Sequence, residues 1–310
     1  MTTAVGMIQF FSSGVCFKKT VKKMNKKLVW IAGIVGSLAL GGLIALAGSQ
    51  NGALWMGLPL FALCCGVAFM VQWLLFIPAY LFQTERYFDL AGSLTYISLV
   101  LVALLLSGSA DPRSFIIGGL VIIWACRLGT FLFSRVSLEG EDKRFRTIKP
   151  DFLQFLMTWT IQGLWVSVTL AAGLAAMTVY EHKPIGLLGA IGISLWVFGF
   201  VVEVVADKQK GKFRREQPGK FITLGLWRYS RHPNYFGEIV LWLGIALLAL
   251  PVLQGWQYAT LISPIFVIFL LVKVSGIRML EHRANKRWGE DPEYQFYRSN
   301  TPVLVPRFRF

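Results

Sequence analysis

Acidic residues are scarce in this chain. Sixteen Asp and Glu stand against 31 Lys and Arg, and charged residues make up only 15% of the 310 positions. A chain this poor in charge, 55% hydrophobic and with a mean hydropathy of +0.58, fits a multi-span membrane protein and not a soluble domain. There are only three histidines, His182, His232 and His282, and no HExxH motif, so no metal centre is expected. The four cysteines (Cys16, Cys64, Cys65, Cys126) lie in or near apolar stretches without metal-ligand spacing and read as buried thiols. No GxGxxG follows a strand pattern and no strand–helix alternation is visible, which excludes a Rossmann nucleotide domain.

The net charge of +15 raises nucleic acid as a partner, and its distribution argues against it. Eight apolar segments are present, at about 28–48, 54–82, 90–107, 114–134, 153–179, 185–206, 235–250 and 256–276. The loops between them alternate in charge. Lys18–Lys27, Arg135–Lys149, Lys208–Arg231 and the tail from Arg278 are rich in Lys and Arg, whereas the other side carries only Arg113 and Lys183. This is the positive-inside pattern; it accounts for the basic residues by topology and places both termini in the cytoplasm. The expectation is an all-α polytopic bundle in a membrane, with lipid as its surroundings and a bacterial inner membrane as its location. Residues 1–27 read as a basic cytoplasmic tail, with Met24 a second possible start.

Chemistry concentrates in Leu226–Glu238, where polar and aromatic groups run directly into an apolar segment. Pro233 disfavours helix at His232 and suits a first helical turn. A helix is therefore expected from Asn234, with Arg231 and His232 just outside it, where free N–H groups and two bases favour an anion. Glu238 falls one turn on from Asn234, on the same face. A carboxylate in a membrane helix marks a functional site by default. Glu203 and Asp207 are four apart at the end of the sixth segment, and Arg214 is seven further along. This row reads as the lining of a polar pocket, or as part of a solvated basic patch. Asp89 reads as an N-cap or as an acid facing substrate. Arg127 reads as a snorkelling side chain or as a buried partner for phosphate or carboxylate. Gln162 reads as a helix–helix hydrogen bond or a ligand contact, and Gln72 as an interhelical hydrogen bond. Glu85 and Arg86 are expected in water at the interface, and the loop 139–151 is expected to be solvated. The tail reads as a helix, a turn at Gly289–Pro292 and a short helix, its aromatics forming an interfacial belt or closing over a ligand.

At Gly225–Tyr235 and Arg231-His232-Pro233-Asn234-Tyr235-Phe236-Gly237-Glu238 the chain resembles a superfamily of membrane enzymes. It groups steroid 5-alpha-reductases, sterol reductases and isoprenylcysteine carboxyl methyltransferases, and the match is closest to bacterial steroid 5-alpha-reductase-like proteins. The resemblance covers about 54–310, leaving 1–53 as a basic tail plus an extra span outside a seven-helix core. It implies NADPH held at the cytoplasmic side by side chains, and reduction of the C=C bond of a lipophilic enone such as a 3-oxo-delta-4-steroid. Residue by residue, it implies cofactor contacts at Arg127, Asp207, Arg214, Arg231, His232, Asn234, Tyr235, Glu238, His282 and Tyr297, with Glu203 standing where the steroid enzymes have Asn. Asp89 and Gln162 fall at substrate positions. Asn234 and Glu238 would orient the nicotinamide carboxamide, and a protonated Asp89 would donate to the substrate carbonyl. The family's substrate-polarising Tyr is Trp124 here, and an indole N–H is a far poorer acid than a phenol. The rival reading is an S-adenosylmethionine-dependent methyltransferase, since Arg-His-Pro with an aromatic and Gly also occurs on that branch. A non-catalytic scaffold or transporter is disfavoured because polar groups collect at one end of the helices, not at mid-depth.

Overall fold

The computed structural model describes residues 26–108, 111–139, 142, 145–181, 183–274 and 276–307. Residues 1–25 of the basic leader, His182, and Glu141, Lys143 and Arg144 of the loop after Glu139 lie outside these. The described chain is almost entirely helical: α1 (Lys26–Gly48), α2 (Leu60–Leu81), α3 (Phe88–Leu106), α4 (Pro112–Glu139), α5 (Phe152–Met177), α6 (Leu187–Glu216), α7 (Pro233–Ala249), α8 (Ile262–Phe269), α9 (Ile277–Trp288) and α10 (Pro292–Asn300). One two-stranded hairpin, Leu54–Trp55 against Leu58–Pro59, precedes α2. Eight stretches are long and apolar enough to cross a membrane, matching the eight segments read from the sequence. The protein is an integral, multi-pass helical bundle.

The last of these stretches, Gly255–Trp288, is not one helix. It begins as a 3₁₀ turn at Gly255–Leu261, continues as α8, widens into a π-turn at Leu270–Val274 and resumes as α9.

Helix α5 is the central post. Nearly every residue from Phe155 to Met177 is buried, because the helix is apolar on all sides and carries Gly163, Ala171, Ala172, Gly173, Ala175 and Ala176, which let neighbours come close. Its hydroxyls return to its own carbonyls: Thr158 donates to Gln154 O at 2.8 Å and Ser167 to Gly163 O at 2.9 Å. Asp151 caps its start by accepting from the Gln154 N–H at 3.0 Å. Helices α1, α2, α3, α7 and α8 pack around it. Gln72 crosses from α2 to donate to Thr95 Oγ1 on α3 at 2.8 Å, the interhelical bond expected of it.

Helices α6 and α7 lie against each other along their length, with almost no side chain between them. A Cβ built on Gly237 would sit 2.5 Å from Gly199 O and 2.7 Å from Glu203 N; one on Gly244 would meet Trp196 N at 2.8 Å. Backbone touches backbone at two places one heptad apart. This is what brings Glu203 and Asp207 beside Asn234 and Glu238.

Five expectations need correction. Cys126 is not a buried thiol: it is exposed on α4, whereas Cys64 and Cys65 are buried. Glu85 is not in water: it is buried, paired with Lys149 and accepts the Asp142 N–H at 2.9 Å. The loop 139–151 is not simply solvated, because Phe145 and Ile148 are buried, Phe145 against Phe88 at 5.1 Å between ring centres. Aromatic anchors fold this loop back onto the bundle. Arg113 is not a loop charge: it is fully buried and donates to Leu248 O at the end of α7 and to Lys183 O and Pro184 O in the connection before α6. Asp89 is not an N-cap, since the cap position belongs to Tyr87 and Asp89 lies in the first turn.

Candidate functional site: an ion-pair network beside a buried cavity

Three helices meet at Arg127. Its guanidinium pairs with Glu203 and Asp207, one turn apart on α6, in the forked geometry that suits two carboxylates. Asp207 also accepts from Asn234 Nδ2 at 3.0 Å, which ties α7 into the same network. Arg127 therefore does not snorkel; one face of its guanidinium rests on the Phe131 ring at 5.3 Å. Glu203 is 3% exposed, and its Oε2 makes no hydrogen bond among the described residues; nor does Asn234 Oδ1.

Helix α7 starts at Pro233, with His232 at the cap position, one residue before the start read from the sequence. The bases just outside it do not stand free. Arg231 and His232 Nε2 both engage Glu281 on α9, the latter at 2.9 Å, and the His232 ring stacks on Tyr235 at 5.5 Å. Burial holds the His232 imidazole below its ordinary pKa despite the hydrogen bond to Glu281. The anion at this helix start is thus an internal carboxylate. The C-terminal strand straps the same loop: the Arg231 N–H donates to Pro302 O at 2.9 Å, the Arg307 N–H to Tyr229 O at 3.1 Å and Ser230 Oγ to Leu304 O at 2.7 Å.

Beside the network lies a narrow cavity of about 60 Å³ lined by Asp89, Tyr96, Trp124, Gln162, Glu238 and hydrophobic neighbours. Four of the residues singled out from the sequence line it together: Asp89, Trp124, Gln162 and Glu238. Gln162 donates to Phe88 O at 2.8 Å and leaves its Oε1 unpaired, so it serves the helix contact and still presents an acceptor. Trp124 packs edge-on between Tyr96 at 5.1 Å and Trp242 at 5.0 Å.

A second, open cleft of about 1240 Å³ lies between the end of α6 and the tail, lined by Phe221, Trp288, Tyr297, Lys220, Arg228 and Arg307 among others. Tyr297 faces this cleft, and its hydroxyl donates to Trp227 O at 2.6 Å. Burial raises that phenol above its ordinary value, so it is a protonated donor throughout the neutral range. Arg214 is exposed two turns beyond Asp207, and His282 is exposed on α9; neither joins the network. Tyr235 is buried against His232 and does not line the cavity.

Sequence reasoning missed Tyr96, Trp242 and the role of Glu281. Tyr96 carried a signal, lying seven residues after Asp89 and so on the same helix face. Glu281, an acid in a basic tail, carried a weaker one. Trp242 looked like any core aromatic.

For a dinucleotide the donor set fits at its nicotinamide end. Asn234 Oδ1 and Glu203 Oε2 are buried acceptors without partners, and Glu238 lies one turn from Asn234; a carboxamide NH₂ is what such acceptors lack. Among the described residues no group of His, Cys, Asp and Glu is placed to hold a metal ion.

An uncharacterised protein of Schizosaccharomyces pombe is 26% identical over 233 residues, covering 64% of each chain. The bovine 3-oxo-5-alpha-steroid 4-dehydrogenase 1 is 36% identical over 70 residues, 22% of this chain and 27% of that one. The rat protein of the same name is 26% identical over 117 residues, 37% of this chain and 40% of its own. The chain thus spans less than two thirds of these relatives. A family model described as "Protein of unknown function (DUF1295)" matches residues 73–301. The chain belongs to this family, the steroid 5-alpha-reductase-like family DUF1295.

Proposed function

We propose that this protein is an NADPH-dependent reductase of the C=C bond of a lipophilic enone, of the 3-oxo-delta-4-steroid type, working in a bacterial inner membrane with both termini and the cofactor end on the cytoplasmic side. The observation that carries the reading is that Glu238, on the wall of the cavity with Asp89, Trp124 and Gln162, lies within electrostatic reach of the Arg127–Glu203–Asp207 network that Asn234 joins. The names of the mammalian relatives support the reaction class, and the basic loops support the orientation. The reductase unit is 54–310, with 1–53 an added tail and span.

Reduced nicotinamide, when bound, supplies the hydride. The chain's own residues do the rest. Asn234 and Glu238 take the carboxamide and set which ring face is presented to the cavity. Arg127 pairs with Glu203 and Asp207 and fixes both carboxyl groups beside Asn234. Exposed bases along the last turns of α6, Arg214 among them, offer charge to phosphates, with His282 and Tyr297 at the rim of the same end. Apolar walls from α3, α4 and α5 keep bulk water away from the β-carbon that accepts hydride. A donor on the cavity wall stabilises the enolate that forms when the β-carbon accepts hydride. The closed cavity is far smaller than a steroid, so substrate entry from the bilayer requires its aromatic lining to move apart.

The test is a steady-state assay of purified protein with NADPH and a delta-4-3-ketosteroid, and the same assay of Glu238→Ala and Asn234→Ala. Loss of turnover in both variants is the expected result; undiminished turnover removes their assigned roles. Thermal stabilisation by NADPH and not by S-adenosylmethionine is expected; the reverse would establish the methyltransferase reading in its place.

A further inference from the structure

We propose that Tyr96 on α3, which no reading of the sequence singled out, is the hydrogen-bond donor to the substrate's carbonyl oxygen. The proposal rests on the reductase reading for its substrate class. Its geometry stands independently.

Three polar atoms on the wall of the 60 Å³ cavity are buried and unpaired: Tyr96 Oη, Trp124 Nε1 and Gln162 Oε1. Two are donors. Donors buried without acceptors are uncommon, and each asks for a partner that a ligand can supply. Tyr96 is 4% exposed, and its ring is fixed by edge-on contact with Trp124 at 5.1 Å and by Trp242 at 5.9 Å. Thr169 Oγ1 is close enough to interact with the phenol, yet neither hydroxyl makes a hydrogen bond of ordinary geometry among the described residues. Glu238 lies within electrostatic range of the phenol, so the acceptors for a carboxamide and the donor for a carbonyl share one cavity.

The other two candidates suit the role less well. Trp124 offers one N–H of very low acidity. Asp89 lies in the first turn of α3 and already has an interaction of its own within the protein. Tyr96 is two turns further into the bundle on the same face, roughly 10 Å beyond Asp89. The phenol therefore belongs to the carbonyl and the carboxylate to the mouth of the cavity.

In the step this implies, hydride from a reduced nicotinamide dinucleotide forms the new C–H bond at the β-carbon. The C=C pair shifts toward the α-carbon as the carbonyl π pair moves onto oxygen. The Tyr96 O–H hydrogen-bonds that enolate oxygen. The α-carbon then takes a proton from water as C=O re-forms, and the dinucleotide is left oxidised. Two hydrogens have been added across the double bond, and Tyr96 ends as it began.

The test reads binding apart from turnover. Ligand-induced thermal shifts of the full chain in lipid nanodiscs are measured with androstenedione and with its counterpart lacking the 3-oxygen. Wild type is expected to bind the ketone about tenfold more tightly. In Tyr96→Phe that ratio should fall to about one, with the unliganded melting temperature essentially unchanged, because the hydroxyl removed makes no hydrogen bond of ordinary geometry among the described residues. Retention of the preference in Tyr96→Phe, its loss in Trp124→Phe instead, or no preference in wild type overturns the proposal. So does a several-degree fall in the unliganded melting temperature, which would give the hydroxyl a structural partner. A preference that depends on Tyr96 without any NADPH-driven reduction would leave the donor role standing and remove the reductase reading.

Discussion

Replacing Gly237 by Ala tests the contact that builds the site. The added Cβ would sit 2.5 Å from Gly199 O, 2.7 Å from Glu203 N and 3.1 Å from Glu203 Cβ. Two of these are backbone atoms of α6 and cannot rotate away. Ordinary contact requires α6 and α7 to separate by roughly 1 Å, which forfeits a quarter to a half of the dispersion well for each pair across the seam. Overpacking of this kind costs about 1–3 kcal/mol, and the better helix propensity of Ala returns at most about 1 kcal/mol. The net loss is about 1–2 kcal/mol, seen as a fall of roughly 2–6 °C in melting temperature in detergent. Gly42 on α1, with nothing within 4 Å of its added Cβ, is the internal control. Gly42→Ala should be neutral or slightly stabilising. The same separation would draw Glu203 from Arg127, so NADPH-induced stabilisation should shrink in Gly237→Ala alone. If the two alanine variants melt together and bind NADPH equally, the helices are not in backbone contact and the account of how the site is assembled is wrong.

Arg127→Met should cost about 3–5 kcal/mol by leaving Glu203 buried without its partner, and adding Glu203→Gln should recover a large part of this; equal denaturation midpoints for the single and double variants would contradict the pairing. Burial favours the neutral His232 imidazole and holds its folded pKa below the ordinary histidine value of about 6.5. The unfolded chain therefore binds the extra proton first, and stability contributed by the neutral ring is full above about pH 6.5 and declines as pH falls below it. Melting curves from pH 7.5 to 5 should show this decline in wild type and a smaller one in His232→Gln. Glu281→Ala removes the acceptor of both Arg231 and His232 and should speed proteolysis of the C-terminal tail severalfold, whereas the exposed neighbour His282→Ala should leave it unchanged.

What could be read from sequence followed the physics of each signal. Eight apolar runs separated by basic and non-basic loops determine the number of spans, because a membrane tolerates few alternatives. Pro233 placed the start of α7 to within one residue, since proline fixes φ and lacks a donor. The four-residue spacing of Glu203 and Asp207 correctly put them on one face, and Arg127 completes them. Partnerships across long sequence distance were not legible. Glu281 as the partner of Arg231, Lys149 as the partner of Glu85 and Arg113 as a clamp on Leu248 O all depend on which helices become neighbours. Periodicity says which face is buried and not what it meets. Tyr96 shows the same limit: its face was visible, and the absence of any acceptor for its hydroxyl was not.

The strap formed by 302–307 has a practical side. Three of its backbone groups hold the turn from which α7 departs, so a purification handle appended there pulls on the start of α7 through Tyr229, Ser230 and Arg231. Handles are better carried at the opposite terminus, where α1 packs at the periphery of the bundle.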